Sequence, residues 1–290
     1  MKEGARQLRK LIDNGDLVVA PGVFNGLSAK LVEKQGFNAI YLGGGLGVAG
    51  AMYGIADVGI ITLTEMVFAA KQIVRSSNLP LIVDADTGYG NALNVYRTVQ
   101  EFEDAGVAGI HIEDQTTPKH CGYYSNVEVI QTEEMCMKVR AAVDAKTNKD
   151  FLIIARTDAL TTHGINEAIY RCKKFYECGA DMVFVNGIKN ESEVEKVVKE
   201  LREIPKLYNV SASGKTPDYN FSEFKDLGFK VVIYPGHLIE TAAKSMIEFL
   251  AHMKTNRTAK GFENRMVSFE EFTEIVGLPK FNALQNRYRS

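Results

Sequence analysis

At 290 residues, with 46% hydrophobic and 24% charged side chains, the chain is long enough to bury one sizeable core and too ordinary in composition to be disordered. Lys and Arg number 34 against 36 Asp and Glu, a net charge of −2, so no broad basic surface invites nucleic acid or anionic lipid, and a small molecule is the default partner. The charged amphipathic pattern of residues 1–16, the absence of any apolar run near the ~20 residues a membrane crossing needs, and four cysteines (Cys121, Cys136, Cys172, Cys178) without CxxC spacing point to a cytoplasmic protein with reduced thiols.

In chain order, short apolar runs alternate with amphipathic helix patterns. A strand at 17–20 runs into Pro21, and a helix over 27–35 ends at Gly36. The second strand, 39–42, leads into Gly43, Gly44 and Gly45, which let a backbone approach closely. A loop rich in Gly, Ala and Met and containing Tyr53 and Asp57 follows. Thr62 and Glu65 form a capping box for a helix reaching Ser77. The third strand, 79–83, ends in DADTGYG, and a helix over 93–105 leads to the fourth, 107–110. There His111, Glu113 and Asp114 break the apolar run, which a core strand does not require. Residues 115–126, with Pro118 and Gly122, carry neither period and read as a loop over the strand end; a helix over 132–145 comes next.

The second half keeps the rhythm. Strands at 151–155, 182–185, 206–210 and 231–234 alternate with helices at 166–178, 191–201, 222–227 and 238–253. Eight such units in series, with strands too apolar to face water, predict a (β/α)8 barrel over 1–255, with 256–290 as a helical tail packing on the barrel or on a neighbouring subunit. In that fold the strand carboxyl ends converge. They carry Gly43 to Gly45, Asp84, Asp86, His111, Glu113, Arg156, Asp158, Asn186, Asn209 and Ser211. Asp84, Asp86 and Glu113 are the hard oxygen donors that Mg²⁺ or Mn²⁺ prefers, and Arg156 suits a substrate carboxylate.

VDADTGYG, GIHIEDQ, PKHCG and ARTDA, in this order and at these strand ends, resemble the phosphoenolpyruvate mutase/isocitrate lyase superfamily, its smaller methylisocitrate lyase-like members above all. The likeness runs from APGVFNGLSA near Pro21 to FENR at Arg265. It implies a modified barrel, Mg²⁺, 2-oxo acid or enolate chemistry, and homotetramers that exchange a C-terminal helix. Carbon–carbon lyases of the family carry a Lys-x-Cys-Gly-His loop, and Lys119, Cys121 and Gly122 match it while Tyr123 departs. The resemblance makes Cys121 the acid that protonates the carbanion left by cleavage, with Lys119, His111 and Tyr41 as catalytic partners and Tyr41 a candidate base. It adds Asp57, which orients metal-bound waters, and places Gly122 and Arg265 among substrate contacts with Gly43 to Gly45, Arg156, Asn186, Asn209 and Ser211.

Where methylisocitrate lyases have Phe-Pro-Glu after the sixth strand, this chain has Phe184, Val185 and Asn186, and Glu240 stands where they use Arg. A distal pocket that loses a positive charge suits a tricarboxylate poorly. It suits a smaller 2-hydroxy diacid of the dimethylmalate type, or a substrate with a neutral or cationic distal end. The blander readings are an inert Cys121, helix-capping aspartates, an Arg156–Asp158 pair and a core His111 bonded to Asp86 or Glu113. The leading function is a metal-dependent lyase releasing pyruvate or glyoxylate. Phosphonate formation, 2-oxo acid decarboxylation or hydrolysis, and a non-catalytic metabolite-binding barrel are the alternatives.

Overall fold

The computed structural model describes residues 3–120, 122, 127–212 and 214–289. Eight parallel strands, β1 (Val18–Pro21), β2 (Ile40–Leu42), β3 (Leu81–Asp84), β4 (Gly109–Glu113), β5 (Leu152–Thr157), β6 (Met182–Val185), β7 (Lys206–Asn209) and β8 (Val231–Tyr234), pair in the order β1-β8-β7-β6-β5-β4-β3-β2. The ring closes between β1 and β2 without a full ladder. Gly22 and Tyr41 form a single bridge, and the Asn38 side chain accepts from the Val19 amide at 3.2 Å and donates to the Leu17 carbonyl at 3.2 Å. The result is the (β/α)8 barrel expected from the sequence.

Helices α1 (Glu3–Asp13), α2 (Gly26–Lys34), α3 (Leu63–Ser76), α4 (Ala92–Ala105), α5 (Thr132–Ala145), α6 (Leu160–Glu177), α7 (Glu191–Glu200), α8 (Phe221–Asp226) and α9 (His237–Asn256) accompany the strands. α1 plugs the amino-terminal end of the barrel: Ala5 and Leu8 are buried in the inner cluster with Val18, Ala20, Ile82, Leu152 and Ile233. The outer cluster, with Val83, Ile110, Ile112, Ile153 and Phe102, fills the space between sheet and helices. Full burial of such side chains contributes roughly 1.5–3 kcal/mol each.

Strand alternation decides which residues line the interior, since successive side chains point to opposite faces. On β3 the inner positions are Ile82 and Asp84; on β5, Leu152, Ile154 and Arg156; on β6, Met182 and Phe184. Continuing the period past the apolar layer puts charged groups inward at the carboxyl ends.

Several expectations need correction. The stretch read as a loop after Gly43 is a π-helix, Gly44–Tyr53, ended by left-handed Gly54 (φ 66°). Its small Gly and Ala side chains leave the wide turn uncrowded. β4 and β5 run on to Glu113 and Thr157, so His111 and Glu113 belong to the strand rather than ending it. α6 opens with an extra turn from Leu160 that the sequence reading did not give, and Gly164, non-helical at φ 82° and ψ 171°, kinks it away from the longer helix expected from residue 166. The tail contains a 3₁₀ turn (Glu263–Arg265), α10 (Phe269–Ile275) and α11 (Leu278–Arg287). Among the described residues no helix is long and apolar enough to cross a membrane.

Candidate active site

The turn after β3 carries two of the acids. Asp84 accepts the Gly44 amide at 3.3 Å through Oδ2 and the Asp86 amide at 3.0 Å through Oδ1. Asp86 has φ 45°, a left-handed backbone that Asp tolerates better than most residues. It is held there by neighbours: the Glu113 amide donates to the Asp86 carbonyl at 2.8 Å and the Gly88 amide to Ala85 at 2.8 Å. Buried Lys138 donates to the Thr87 carbonyl at 3.0 Å and Thr98 to Gly88 at 3.2 Å, tying the turn to α5 and α4.

β4 supplies His111 and Glu113, both fully buried. His111 Nε2 is 2.8 Å from the Tyr41 hydroxyl, and Nδ1 lies 3.5 Å from Asp84 Oδ1, so its acidic neighbour is Asp84 rather than Asp86 or Glu113 as the sequence suggested. Burial lowers the imidazole to about 4, with Asp84 opposing and Arg156 reinforcing. At pH 7 the ring is therefore neutral, and Tyr41, whose own pKa burial raises well above normal, is the natural donor to it. Tyr41 is accordingly a weak base in this setting.

Arg156 on β5 is the electrostatic hub. Its Nε and Nη2 donate to Asp158 at 2.8 and 2.9 Å, its Nη1 lies 2.9 Å from Glu113 Oε2, and its guanidinium stands 5.4 Å over the Phe184 ring. The Arg156–Asp158 pair weighed from the sequence is therefore present. Two of the five guanidinium N–H groups are spent on it, and the outer edge remains for a carboxylate. Asn186 donates to Asp158 Oδ1 at 2.6 Å and accepts from Asn209 at 3.4 Å. Ser211 stands next to this wall, its amide donating to Thr216 at 2.8 Å.

The loop is clipped at its base. Gln115 and His120 exchange side-chain and backbone hydrogen bonds at 3.0 Å, Thr116 donates to the Glu128 carbonyl at 2.9 Å, and Ile130 to Asp114 at 2.8 Å. Lys119 is buried, its Nζ 2.8 Å from both Asp57 Oδ1 and Asp86 Oδ1. A Cβ on Gly122 would fall 2.1 Å from Asp158 Oδ1 and 2.2 Å from Asn186 Nδ2, so only glycine fits the loop against that pair. Gly45 is similarly constrained by Asp57, at 2.5 Å. Cys121 and Tyr123 lie outside the described residues.

Two assigned residues sit apart from this centre. Arg265 pairs with Glu248 of α9 and stacks on Phe262, on the tail side of the molecule. Glu240 is exposed on the first turn of α9, beside Gly236 and near Ala212 at the rim. Sequence reading passed over Asp158 as more than a partner of Arg156. It named Asp114 without giving it a role; buried Asp114 accepts from Thr157, the Asp158 amide and Arg171 at 2.7, 2.9 and 3.1 Å and so binds β4 to β5 and α6. The two-residue period through 154, 156 and 158 is the signal that puts Asp158 inside.

Among the described residues, Asp57, Asp84, Asp86, Glu113 and Asp158 pair directly with two permanent cations, Lys119 and Arg156. Burial raises Asp84, but His111 when protonated, Lys119 and Arg156 outweigh it and hold the group at about 2. Burial and repulsion from Asp84 and Asp57 push Asp86 to about 6 despite Lys119. Burial likewise raises Glu113, neither of whose oxygens has an aligned hydrogen bond among the described residues. Surplus negative charge and orphaned hard oxygens fit a divalent cation. The described residues do not, however, form a closed cluster of three or more such donors.

A family profile for phosphoenolpyruvate phosphomutase matches residues 8–254. The chain belongs to the phosphoenolpyruvate mutase/isocitrate lyase superfamily. Within the superfamily it is 41% identical to 2,3-dimethylmalate lyase of Eubacterium barkeri over 284 residues, covering 98% of each chain. Among superfamily structures, oxaloacetate acetylhydrolase in complex with 3,3-difluorooxalacetate superimposes with a TM-score of 0.93 at 32% identity, covering 100% of this chain and 98% of that one. Phosphonopyruvate hydrolase in complex with oxalate and Mg²⁺ does so with a TM-score of 0.90 at 30% identity, covering 99% of each.

Proposed function

We propose that this protein is a divalent-metal-dependent lyase that cleaves a small 2-hydroxy diacid of the 2,3-dimethylmalate type into a 2-oxo acid and a second carboxylic acid. The observation that carries the reading is the neutral wall of Asn186 and Asn209 beside Arg156. It offers a carboxylate one cation and gives a third carboxylate none. The 41% identity to 2,3-dimethylmalate lyase supports the same choice.

Asp84, Asp86 and Glu113 would hold Mg²⁺ or Mn²⁺, with Asp57 facing its waters. Bound there, the ion would supply positive charge to the oxygens of a 2-hydroxy or 2-oxo carboxylate. The Gly45 amide and the Arg156 guanidinium orient the substrate. The hydroxyl proton leaves to a base on the Tyr41 side, the carbon–carbon bond breaks toward the other fragment, and Cys121 returns a proton to its carbon.

The likeness to oxaloacetate acetylhydrolase favours a second reading, hydrolysis of a 2-oxo diacid. A panel of 2-hydroxy diacids with Mg²⁺, assayed for pyruvate or glyoxylate and run beside oxaloacetate assayed for oxalate, separates the two. Dimethylmalate-type diacids are expected to be turned over and methylisocitrate to be poor. Turnover of oxaloacetate alone would establish the hydrolase, and turnover of nothing would leave a binding barrel.

We also infer that the working unit is an oligomer, a homotetramer, in which α9 and the 256–290 tail pack on a neighbouring copy. No residue of the 20-residue α9 is buried, and Met246, Ile247 and Leu250 on it are exposed together with Phe269 and Phe281 of the tail. An apolar groove of about 490 Å³ between α2 and α8, lined by Val19, Leu31, Val32, Phe37 and Phe221, is where such a helix would seat. Light scattering is expected to give a tetramer for the full chain and a smaller species for Leu250→Asp. A monomeric full chain would refute the assembly.

A further inference from the structure

Asp114 follows Glu113 at the end of β4 but lies behind the barrel wall. Strand alternation turns Glu113 inward to Arg156 and Asp114 outward to Arg171 of α6. Its carboxylate closes the end of β5: Oδ2 accepts the Thr157 hydroxyl at 2.7 Å and Oδ1 the Asp158 amide at 2.9 Å. The ladder between β5 and β6 finishes at that point, with the Asn186 amide on the Thr157 carbonyl at 3.0 Å. The backbone of Asp158 is therefore placed by a side chain at the point where the sheet gives out.

Arg171 fixes Asp114 in turn. Its Nη1 stands 3.1 Å from Asp114 Oδ2 and 2.8 Å from the Ile130 carbonyl, and its Nε donates to Glu167 at 2.8 Å. The Ile130 amide completes the circuit on the Asp114 carbonyl at 2.8 Å. Asp114, Thr157 and Arg171 are all buried. Taking two charges out of water gains little net stability over apolar packing of the same volume. Alignment is what such a pair can add.

The group it aligns is Arg156. Arg156 donates through Nε and Nη2 to the two oxygens of Asp158, at 2.8 and 2.9 Å, and a two-pronged pair of this kind fixes a plane as well as a contact. A shift of the Asp158 backbone therefore swings the guanidinium. We propose that Asp114, clamped by Arg171, is a positioning residue for carboxylate recognition, setting the plane of Arg156 through Asp158 from behind the barrel wall. The inference rests on Arg156 being the carboxylate contact of the function proposed above.

Calorimetry on the full chain, first with Mn²⁺ and then with oxalate, a planar dicarboxylate, in the presence of Mn²⁺, provides the test. Asp114→Ala is expected to weaken oxalate by up to roughly 10²-fold, the scale of misplacing a binding group by about 1 Å, and to leave Mn²⁺ affinity as in the parent. Asp114→Asn, whose amide oxygen still accepts the Asp158 amide, should recover most of that loss. Thr157→Val removes one of the two bonds to β5 with little change of shape, and should give a smaller loss of oxalate at the same Mn²⁺ affinity; it carries the test if Asp114→Ala does not fold. Parental oxalate affinity in the folded variants overturns the inference. So does a parallel loss of oxalate and Mn²⁺, which marks general disruption of the β4 end beside Glu113. Arg156→Gln tests the underlying reading separately. If it binds oxalate as the parent does, or if the parent binds none, Arg156 is not the carboxylate contact and both fall; if it loses oxalate while the Asp114 and Thr157 variants keep it, only the positioning role fails.

Discussion

Asp84→Ala is expected to abolish measurable Mn²⁺ binding and reduce lyase turnover to background. Asp84 is the acid most firmly in its ionised form, near 2, so it presents a full negative charge at any pH where the protein is assayed. It is also the one that organises its surroundings, accepting the Gly44 and Asp86 amides and facing His111. Removing it takes away a hard donor and unpairs two buried amides at once. The loss in metal affinity should exceed the roughly 10- to 100-fold that losing an outer-shell partner costs. Asp84→Asn helps separate the two effects, because its single amide oxygen still accepts one of the two backbone hydrogens, that of Asp86 or that of Gly44, while the charge is gone. A titration of Mn²⁺ against both variants, with turnover measured at saturating ion, reads them apart. If Asp84→Ala still turns over in excess chelator, the site is not a metal site and the hard-donor argument fails.

The barrel was legible because a parallel strand buried on both faces writes a short apolar run, and eight of these alternating with helix periods leave few architectures. The candidate site was legible for a related reason: ionisable residues at strand ends have no structural excuse there. What escaped was local. The wide turn over 44–53 has no periodic signature, since glycine and alanine fit loop, α-helix and π-helix alike. Asp114 and Asp158 each follow a strand end, and strand alternation is what distinguishes Asp158, facing Arg156, from Asp114, which faces Thr157 and Arg171. The partner of His111 could not be read off because Asp84 is its neighbour across the ladder, in register with it, rather than along the chain. Cross-strand register is a property of the closed sheet. Arg265 likewise carried its assignment from resemblance, and in a single chain its contacts are with Glu248 and Phe262.

Cys121→Ser is expected to keep Mn²⁺ and 2-oxo acid binding while lowering turnover of the best diacid by roughly the 10²–10⁴-fold that losing a positioned acid costs. Two described loop residues near it in sequence, Lys119 and Gly122, both seat on the barrel mouth, one on Asp57 and Asp86 and the other on Asp158 and Asn186. Those anchors bracket the pocket that Arg156 and the acids define. The reaction needs a proton there. When the carbon–carbon bond breaks, the electron pair stays with the departing fragment as a carbanion, and the hydroxyl proton has been taken by a separate base. A thiol is far more acidic than a serine hydroxyl, so it can supply that proton, whereas serine keeps the size and loses the acidity. Binding of the 2-oxo acid product, which would use the metal, the Gly45 amide and Arg156, should be untouched. The measurement is single-turnover release of the 2-oxo acid, paired with calorimetric binding of the same acid in the presence of Mn²⁺. Near-normal turnover in Cys121→Ser rules out the thiol as the acid and shifts weight to the hydrolase reading. Lost binding alongside lost turnover would instead make Cys121 part of the loop's seating rather than of the proton transfer.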